Sequence, residues 1–373
     1  MSLRALGASV ALLVLAGCAA IEAPPGTAIY PRLGAAEGRA LVERLLPDRL
    51  TDRSGWATDL YAAIAALNVA PTAENICAAI AIAEQESGLR VDPQVPGLPA
   101  IARKELDARR ERAGVPKLVL DAALALPSSN GKSYGERLDA VKTEGQLSEL
   151  FEDFIDRVPL GRTFFADRNP VRTGGPMQVS IAFAEAQLEA SPYPYPLKES
   201  VRHEVFTRRG GLYFGVAHLL DYRAGYDRYL YRFADFNAGR YASRNAAFQR
   251  ALTQVSGVPL AQDGGLLRVE DGKAAREPSA TELAARVVGR RLGLDDAQIR
   301  RDLERARDGS FDRTPLYERV FALADLVERG PAPRAVVPDI VLHSPKITRT
   351  LTTSWFAHRV DERYGQCLRR RSA

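Results

Sequence analysis

Glu86 is the residue whose position in this sequence best suits acid catalysis. It follows Glu84 near the end of a predicted helix that starts near Pro71-Thr72 and stops at Gly88. At about 100° per residue, Glu86 shares the apolar face of that helix, whereas Glu84 projects about 160° away from it. Apolar neighbours and the negative end of the helix dipole both oppose ionisation there. Such an acid can stay protonated near neutral pH and donate its proton to a glycosidic oxygen.

The alternative is a glutamate at a helix end that simply reaches water, and Glu86 alone does not decide between the two. Two later segments bear on the choice. Gly174-Gly175-Pro176-Met177-Gln178 predicts a glycine-rich turn into a helix that starts near Ser180, and Phe236-Asn237-Ala238-Gly239 follows. The amide side chains of Gln178 and Asn237 have the donors and acceptors that acetamido groups require.

The order Glu-Ser, then Gly-x-Met-Gln, then aromatic-Asn-Ala-Gly resembles the soluble lytic transglycosylase and goose-type lysozyme-like family. The matching residues are Glu86-Ser87, 175–178 and 236–239. The resemblance implies a lysozyme-like helical domain that acts on peptidoglycan glycan strands. It implies that Glu86 protonates the linkage oxygen between N-acetylmuramic acid and N-acetylglucosamine. Glu86 then takes the proton of the muramoyl 6-hydroxyl, which closes a 1,6-anhydro ring without a second carboxylate, unlike most glycosidases.

The same resemblance implies that the other matching residues bind substrate. Gln178 and Asn237 would hold acetamido groups, and Met177 would form a polarisable floor to the cleft. Gly175 and Gly239 would let the backbone approach the sugar closely. The implied site is catalytic Glu86 with substrate-binding Ser87, Gly175, Met177, Gln178, Phe236, Asn237, Ala238 and Gly239.

The chain departs from that family's pattern at three points. Glu86 and Gln178 are 92 positions apart, much farther than in the compact enzymes, so residues from about 97 to 165 are predicted to be a helical insertion. Pro176 replaces the usual Leu, and Phe236 replaces the usual Tyr, which removes a possible hydrogen bond to the substrate or the acid. A second function therefore stays open, in which the cleft binds glycan or a protein or peptide partner as an accessory factor without cleaving it.

The rest of the sequence predicts a mainly α protein. Apolar residues recur at spacings of three and four, for example over Val201–Leu220, and alternating β-branched runs are scarce. Gly257, Gly264, Gly265 and Gly272 cluster within 256–280, which predicts a seam. We therefore predict a lysozyme-like domain over 36–260 and a C-terminal helical extension over 261–373 that packs back on it.

The N-terminal residues predict a bacterial lipoprotein. Arg4 and the apolar stretch Ala5–Ala16 are typical of a signal peptide and are too short for a membrane span. Leu15-Ala16-Gly17-Cys18 resembles the lipobox, so we expect cleavage after residue 17, diacylglycerol and palmitate on Cys18, and a flexible tether over 18–35. An ordinary signal peptide with a chance cysteine is the alternative. Ala19 in place of Asp favours the outer membrane, with the periplasmic face and the cell surface both open.

Cysteines, charge and histidines narrow the remaining possibilities. Besides Cys18 the chain has only Cys77 and Cys367, and an oxidising periplasm favours a disulfide between them over two buried thiols. The charges, 51 basic and 46 acidic, are well mixed, and no basic motif interleaved with aromatic residues predicts a nucleic-acid partner. The histidines lack metal-ligand spacing, so we expect surface or capping roles for them, with no metal and no cofactor. They are His203, His218, His343 and His358.

Over nearly all of its mature length the chain is also similar to an uncharacterised family of proteobacterial envelope lipoproteins typified by YaiW. The resemblance is carried by the stretches 169–185, 231–239 and 344–349. That family has no established chemistry, so the resemblance implies an envelope lipoprotein and leaves the activity open. The predicted partners are peptidoglycan glycan strands, the membrane through the N-terminal lipid, and a protein partner of unknown identity.

Overall fold

Helices form most of the regular structure in a computed structural model that describes residues 33–157, 168–270, 272–342 and 350–371. The prediction of a mainly α protein is confirmed. In chain order the described α-helices are α1 (Ala35–Leu45), α2 (Arg53–Ala66), α3 (Ala73–Ser87), α4 (Leu98–Arg112), α5 (Lys117–Ala125), α6 (Tyr134–Ala140), α7 (Glu144–Arg157), α8 (Ile181–Ala190), α9 (Val201–Val205), α10 (Arg208–Leu220), α11 (Tyr229–Ala238), α12 (Ala242–Ser256), α13 (Ala280–Leu292), α14 (Asp296–Glu304), α15 (Pro315–Glu328) and α16 (Thr353–Arg369).

The strands of the described residues pair as short antiparallel hairpins. They are β1 (Thr173–Gly174) with β2 (Val179–Ser180), β3 (Val269–Glu270) with β4 (Lys273–Ala274), and β5 (Val341–Leu342) with β6 (Leu351–Thr352). Each strand is two residues long, so these pairs do not form a layer of the core.

Side-chain caps set the starts of the helices that carry the motifs. Thr72 accepts a hydrogen bond from the backbone N–H of Asn75 at the start of α3, and Ser180 accepts one from Phe183 at the start of α8. At the other end of α3, Gly88 adopts φ 62°, and the N–H of Leu89 donates to the carbonyl of Ala83. The predicted bounds of α3 and the predicted start of α8 are therefore confirmed.

The apolar pattern over Val201–Leu220 is interrupted, so a single helix there is the wrong interpretation. The Thr207 hydroxyl accepts from the N–H of Gly210 and donates to the carbonyl of Glu204. These bonds end α9 and start α10 within one turn, because a Thr side chain offers the backbone a partner outside the helix. Periodicity alone does not show such a break.

Buried side chains form three clusters. The first joins α1–α3 and α8–α11 with α16, and the second joins α12–α15 around Phe248, Phe311 and Phe321. A third, smaller cluster lies within α4, α6 and α7, inside the predicted insertion. The change from the first cluster to the second falls between α11 and α12, whereas the sequence-based division stands at residue 260. The division into domains itself stays a prediction.

Helix α16 returns to the first cluster from late in the chain and packs against α3 and α11. A disulfide joins Cys77 of α3 to Cys367 of α16, which confirms the predicted pairing. Further along α3, Glu84 lines the same cavity as Arg363, which precedes Cys367. The two helices therefore run antiparallel.

None of the helices in the described ranges is long and apolar enough to cross a membrane. Cys18, the predicted signal peptide and the stretch 344–349 lie outside the described residues.

Candidate functional site

Glu86 lies half-buried in the last turn of α3. Ala79, Ile82 and Ala83 are fully buried, as the predicted apolar face requires. Ser87 is buried beside it, where its hydroxyl donates to the carbonyl of Ala83 at 2.9 Å and accepts from the N–H of Arg90 at 3.1 Å. Ser87 thus holds the chain as it leaves the helix.

The other acid of this turn, Glu84, is also mostly buried, which corrects the prediction that only Glu86 belongs to an apolar environment. The Glu84 side chain is 12% exposed, and one oxygen lies 3.6 Å from the Arg49 guanidinium. The reason is that α3 is covered on all sides, with every residue from Ile76 to Ala83 buried. The angular positions of two acids on a helix predict that one is buried and the other exposed only when one face of the helix meets water.

The turn 175–178 joins β1 to β2 and lies against α10. A Cβ atom on Gly211 would come within 2.4 Å of the Pro176 ring, and one on Gly215 within 2.3 Å of the Met177 sulfur. These two glycines are about one helical turn apart, so together they let the hairpin contact the helix backbone. Met177 is fully buried in this contact, so it supports the turn from beneath.

Gln178 holds the turn from within. Its backbone adopts φ 49°, its side-chain amide donates to the carbonyl of Gly175 at 3.2 Å, and its side-chain oxygen accepts from the Thr173 hydroxyl at 3.4 Å. An amide has two N–H groups and two acceptor lone pairs. Half of that capacity remains for a ligand after these two bonds.

The segment 236–239 forms the end of α11. Asn237 is exposed, and its side-chain oxygen accepts from the Thr353 hydroxyl at the start of α16, at 2.9 Å. Gly239 ends the helix with φ 103°, a backbone conformation that favours glycine. The exposed amide and the open backbone of Gly239 leave this helix end accessible to a ligand.

Asp235 anchors this helix end and was not singled out from the sequence. It is fully buried and accepts from the hydroxyls of Tyr222 and Tyr226, at 3.1 and 2.7 Å, and from the backbone N–H groups of Tyr241 and Ser243. Burial raises the pKa of the Asp235 carboxyl above its ordinary value, against the opposing effect of these hydrogen bonds. The partners come from two segments, the loop before α11 and the start of α12, so the pattern within α11 does not predict them.

A cavity of about 640 Å³ opens beside the end of α11, within the predicted seam. The cavity is lined by Phe183, His218 and Gly239, by residues 263–267 and by the β3–β4 hairpin. Of the predicted site residues, Ala238 and Gly239 line this cavity, whereas Glu86, Gln178 and Asn237 do not.

His218 packs between two aromatic rings at this cavity, so a surface role is wrong for it, whereas the alternative capping role fits, because its Nε2 faces the Phe236 carbonyl in the last turn of α11. Its ring contacts Phe183 and Phe236, with centroids 4.7 and 4.9 Å apart, and its Nε2 lies 3.3 Å from the Phe236 carbonyl. Its Nδ1 is buried with no hydrogen-bond partner in the described part of the chain. Burial, and then the charge of Arg240, lower the pKa of His218 to about 4. The ring is therefore neutral at pH 7, with the proton on Nε2.

A family model for proteins of unknown function, DUF1615, matches residues 49–370. The chain belongs to the DUF1615 family. It is 50% identical over 360 residues to the uncharacterized protein YaiW of Escherichia coli K12, and the match covers 96% of each chain. No solved structure matches. The resemblance to a YaiW-type family is thus confirmed, and no activity comes with it.

Within the described residues of this DUF1615 protein, no group of three or more His, Cys, Asp or Glu side chains could hold a metal ion. His203 lies at the surface, 3.2 Å from the Glu199 carboxylate.

We expect Gly175→Ala to destabilise the protein by about 2 kcal/mol more than Gly257→Ala. Both glycines have positive φ, 73° and 72°, so both substitutions strain the backbone. A Cβ on Gly175 would also lie 2.1 Å from the Val205 carbonyl oxygen, whereas one on Gly257 meets nothing within 4 Å. Urea denaturation of the two variants measures the difference. Equal losses would show that the hairpin can move away from α10.

We expect His218→Phe to flatten the dependence of stability on pH between about 4 and 6.5. The pKa of His218 is lowered in the folded state, so between these values the unfolded chain binds a proton that the folded chain does not. The contribution of neutral His218 to the unfolding free energy is on the order of 3 kcal/mol. It is fully present above pH 6.5 and is lost as the pH falls to about 4. Urea denaturation at pH 7.5 and pH 5 measures it, with His203→Phe as the surface control. If the unfolding free energy of His218→Phe depends on pH as steeply as that of the wild type, His218 is not the source of the dependence.

Proposed function

We propose that this protein is an envelope lipoprotein that cleaves peptidoglycan as a lytic transglycosylase, with Glu86 as the single acid and base. The observation that carries the proposal is that the three motif segments end elements of one shared core. Glu86 ends α3, 175–178 form the hairpin on α10, and 236–239 end α11, and all of these elements contribute to the first cluster.

The course of α16 brings Glu86 and Asn237 to similar levels along the helix axes. Measured from the disulfide, Glu86 lies about 14 Å along α3, and Thr353 lies about 21 Å along the antiparallel α16. Asn237 accepts a hydrogen bond from Thr353. Glu86 and Asn237 therefore lie at levels that differ by only about 8 Å along these helices.

The surroundings of Glu86 suit a proton donor. The side chain is half-buried in the last turn of α3, which is the position that the proposal gives to the proton donor. In the proposed reaction the Glu86 proton passes to the glycosidic oxygen as the bond to C1 of the muramoyl residue breaks. The resulting carboxylate then takes the proton of the 6-hydroxyl as that oxygen bonds to C1, which restores the acid.

The proposed glycan contacts come from the exposed Asn237, from the remaining amide capacity of Gln178, and from the open backbone of Gly239. The sequence analysis expected direct contact with the sugar from three further residues, and this proposal gives them a different role. They are Ser87, Gly175 and Met177. Ser87 bonds to the backbone, and Gly175 and Met177 pack under the hairpin, so these three residues position the site rather than touch sugar.

A non-catalytic accessory protein that binds glycan or a protein or peptide partner is the second candidate. Two observations favour it: Phe236 has no hydroxyl, and the Gln178 amide is partly used within its own turn. The deciding experiment incubates the purified full chain with peptidoglycan sacculi and analyses the soluble products for 1,6-anhydro-muropeptides by mass spectrometry. Their release supports the enzyme, and binding to sacculi without release supports the accessory protein.

We expect Cys18→Ala to move the protein from the membrane fraction to the soluble fraction, because the lipid is the proposed anchor. Ala19→Asp keeps the cysteine and serves as the matched variant, which we expect to stay in the membrane fraction but shift to the inner membrane. Fractionation on a sucrose gradient with immunoblotting measures both. Membrane association of Cys18→Ala equal to that of the wild type would rule out the lipid anchor.

A further inference from the structure

A second cavity, of about 360 Å³, lies at the end of α3 on the side of Glu84. We name it the arginine cavity, because Arg49, Arg90 and Arg363 line it together with Glu84, against the apolar side chains of Pro47 and Leu50. It is separate from the proposed catalytic acid, since Glu84 lines it and Glu86 does not.

Two charged side chains in this cavity have buried atoms that are unsatisfied within the described chain. Oε2 of Glu84 and Nε of Arg363 are each buried and have no hydrogen-bond partner there. Folded proteins pair nearly all buried polar atoms, because an unmade hydrogen bond costs free energy. A donor and an acceptor left unpaired in the walls of one cavity indicate a ligand that carries both kinds of group.

The charges define the class of that ligand. Three guanidinium groups favour a carboxylate, which matches their planar donors. The Glu84 carboxylate only accepts hydrogen bonds, so it favours an ammonium group and disfavours a simple anion placed beside it. A volume of about 360 Å³ corresponds to roughly a dozen water molecules, which is enough for an amino acid.

The walls of the cavity are held by the covalent link between α3 and α16. Cys367 lies one helical turn beyond Arg363, and Cys77 lies two turns before Glu84. The disulfide therefore fixes the helices that carry the two unpaired atoms, so the cavity is formed before a ligand arrives. Pre-formed sites avoid part of the ordering cost of binding.

We propose that the arginine cavity binds a small α-amino carboxylate, with its carboxylate on the arginines and its ammonium group on Glu84. This ligand class is independent of the proposed action on glycan. Loss of anhydro-muropeptide activity leaves this proposal intact, and loss of amino-acid binding leaves the enzyme proposal intact.

The test is a ligand-observed NMR titration of the full chain with three probes of similar size: alanine, propionate and ethylamine. We expect alanine to bind at least about tenfold more tightly than either single-charge probe, because only alanine makes both charged contacts. Equal affinity for alanine and propionate overturns the proposal in favour of a simple anion site. The absence of saturable binding by any probe overturns it entirely.

Matched variants locate the ligand. We expect Glu84→Gln to lower the affinity for alanine to that for propionate, and Arg363→Gln to weaken binding of both probes by about tenfold or more. Glu318→Gln and Arg291→Gln are exposed controls that should bind as the wild type does. Arg90→Gln changes an exposed lining residue and should weaken carboxylate binding even if the buried variants fail to fold. Wild-type affinity in Arg90→Gln and Glu84→Gln overturns the assignment to this cavity.

Discussion

Glu86→Gln is expected to reduce the release of 1,6-anhydro-muropeptides from sacculi at least about a hundredfold. Glutamine keeps the size of the side chain and can still form hydrogen bonds, but it has no acidic proton to transfer to the glycosidic oxygen. It also cannot take the proton of the 6-hydroxyl, so both halves of the proposed reaction are lost. The measurement is the initial rate of product release, quantified by mass spectrometry at matched protein concentration.

The matched control for this substitution is Glu74→Gln. Glu74 lies in the first turn of the same helix and forms an ion pair with Arg371, 3.6 Å away, at the surface. We expect it to retain the wild-type rate and to lose no more than about 1 kcal/mol of stability. Equal rates for Glu86→Gln and the wild type would remove Glu86 from the mechanism. No product from the wild type would remove the enzyme and leave the accessory protein.

Removal of the disulfide is expected to cost about 5 kcal/mol of unfolding free energy. The bond between Cys77 and Cys367 closes a loop with a sequence separation of 290, and the chain-entropy estimate for a loop of that length is about 5 kcal/mol at 25 °C. Both sulfurs lie in fully buried positions between α3 and α16, so the reduced protein also loses a fixed contact in its core. Urea denaturation of the double variant Cys77→Ala with Cys367→Ala measures the loss.

Chemical reduction of the wild type provides the control for that experiment. Dithiothreitol should lower the urea midpoint of the wild type and leave that of the double variant unchanged. A thiol titration of the denatured, unreduced protein should find no free thiol at these two positions. A loss below about 1 kcal/mol would show that helix packing alone holds α16 in place.

Local chemistry in the sequence was sufficient to predict α3, the glycine-rich turn over 174–178 and the start of α8. Thr72 and Gly88 bound α3 because capping depends on a few neighbouring residues, and Ser180 starts α8 for the same reason. The disulfide was predicted from the number of cysteines and from the expected oxidising compartment. These features need no knowledge of which elements pack together.

Features that depend on tertiary packing could not be predicted in the same way. Glu84 is buried because α3 is covered on every side, and His218 is buried because its ring lies between Phe183 and Phe236. Asp235 receives hydrogen bonds from residues on two segments that flank its own helix. None of these contacts leaves a periodic or local signal in the sequence.

For the candidate site, the sequence identified the motif segments but did not predict which contacts each of their side chains makes. Met177 matches the pattern of a cleft residue. It is nevertheless fully buried beneath the hairpin, because Gly215 of α10 leaves room for its side chain. Gln178 and Asn237 remain available for contact, which the pattern predicted. Close backbone approaches thus decide which motif side chains stay at the surface, and the site itself stays a prediction.

The position of α16 has a consequence for the order in which the protein can fold. The first cluster takes its earlier helices from residues 35–87, but α16 comes from residues 353–369. A chain that is delivered gradually from its N-terminus must therefore keep one side of α3 uncovered until more than 260 further residues have followed. Until then Cys77 has no native partner, so an incomplete chain presents an apolar helix and an unpaired cysteine.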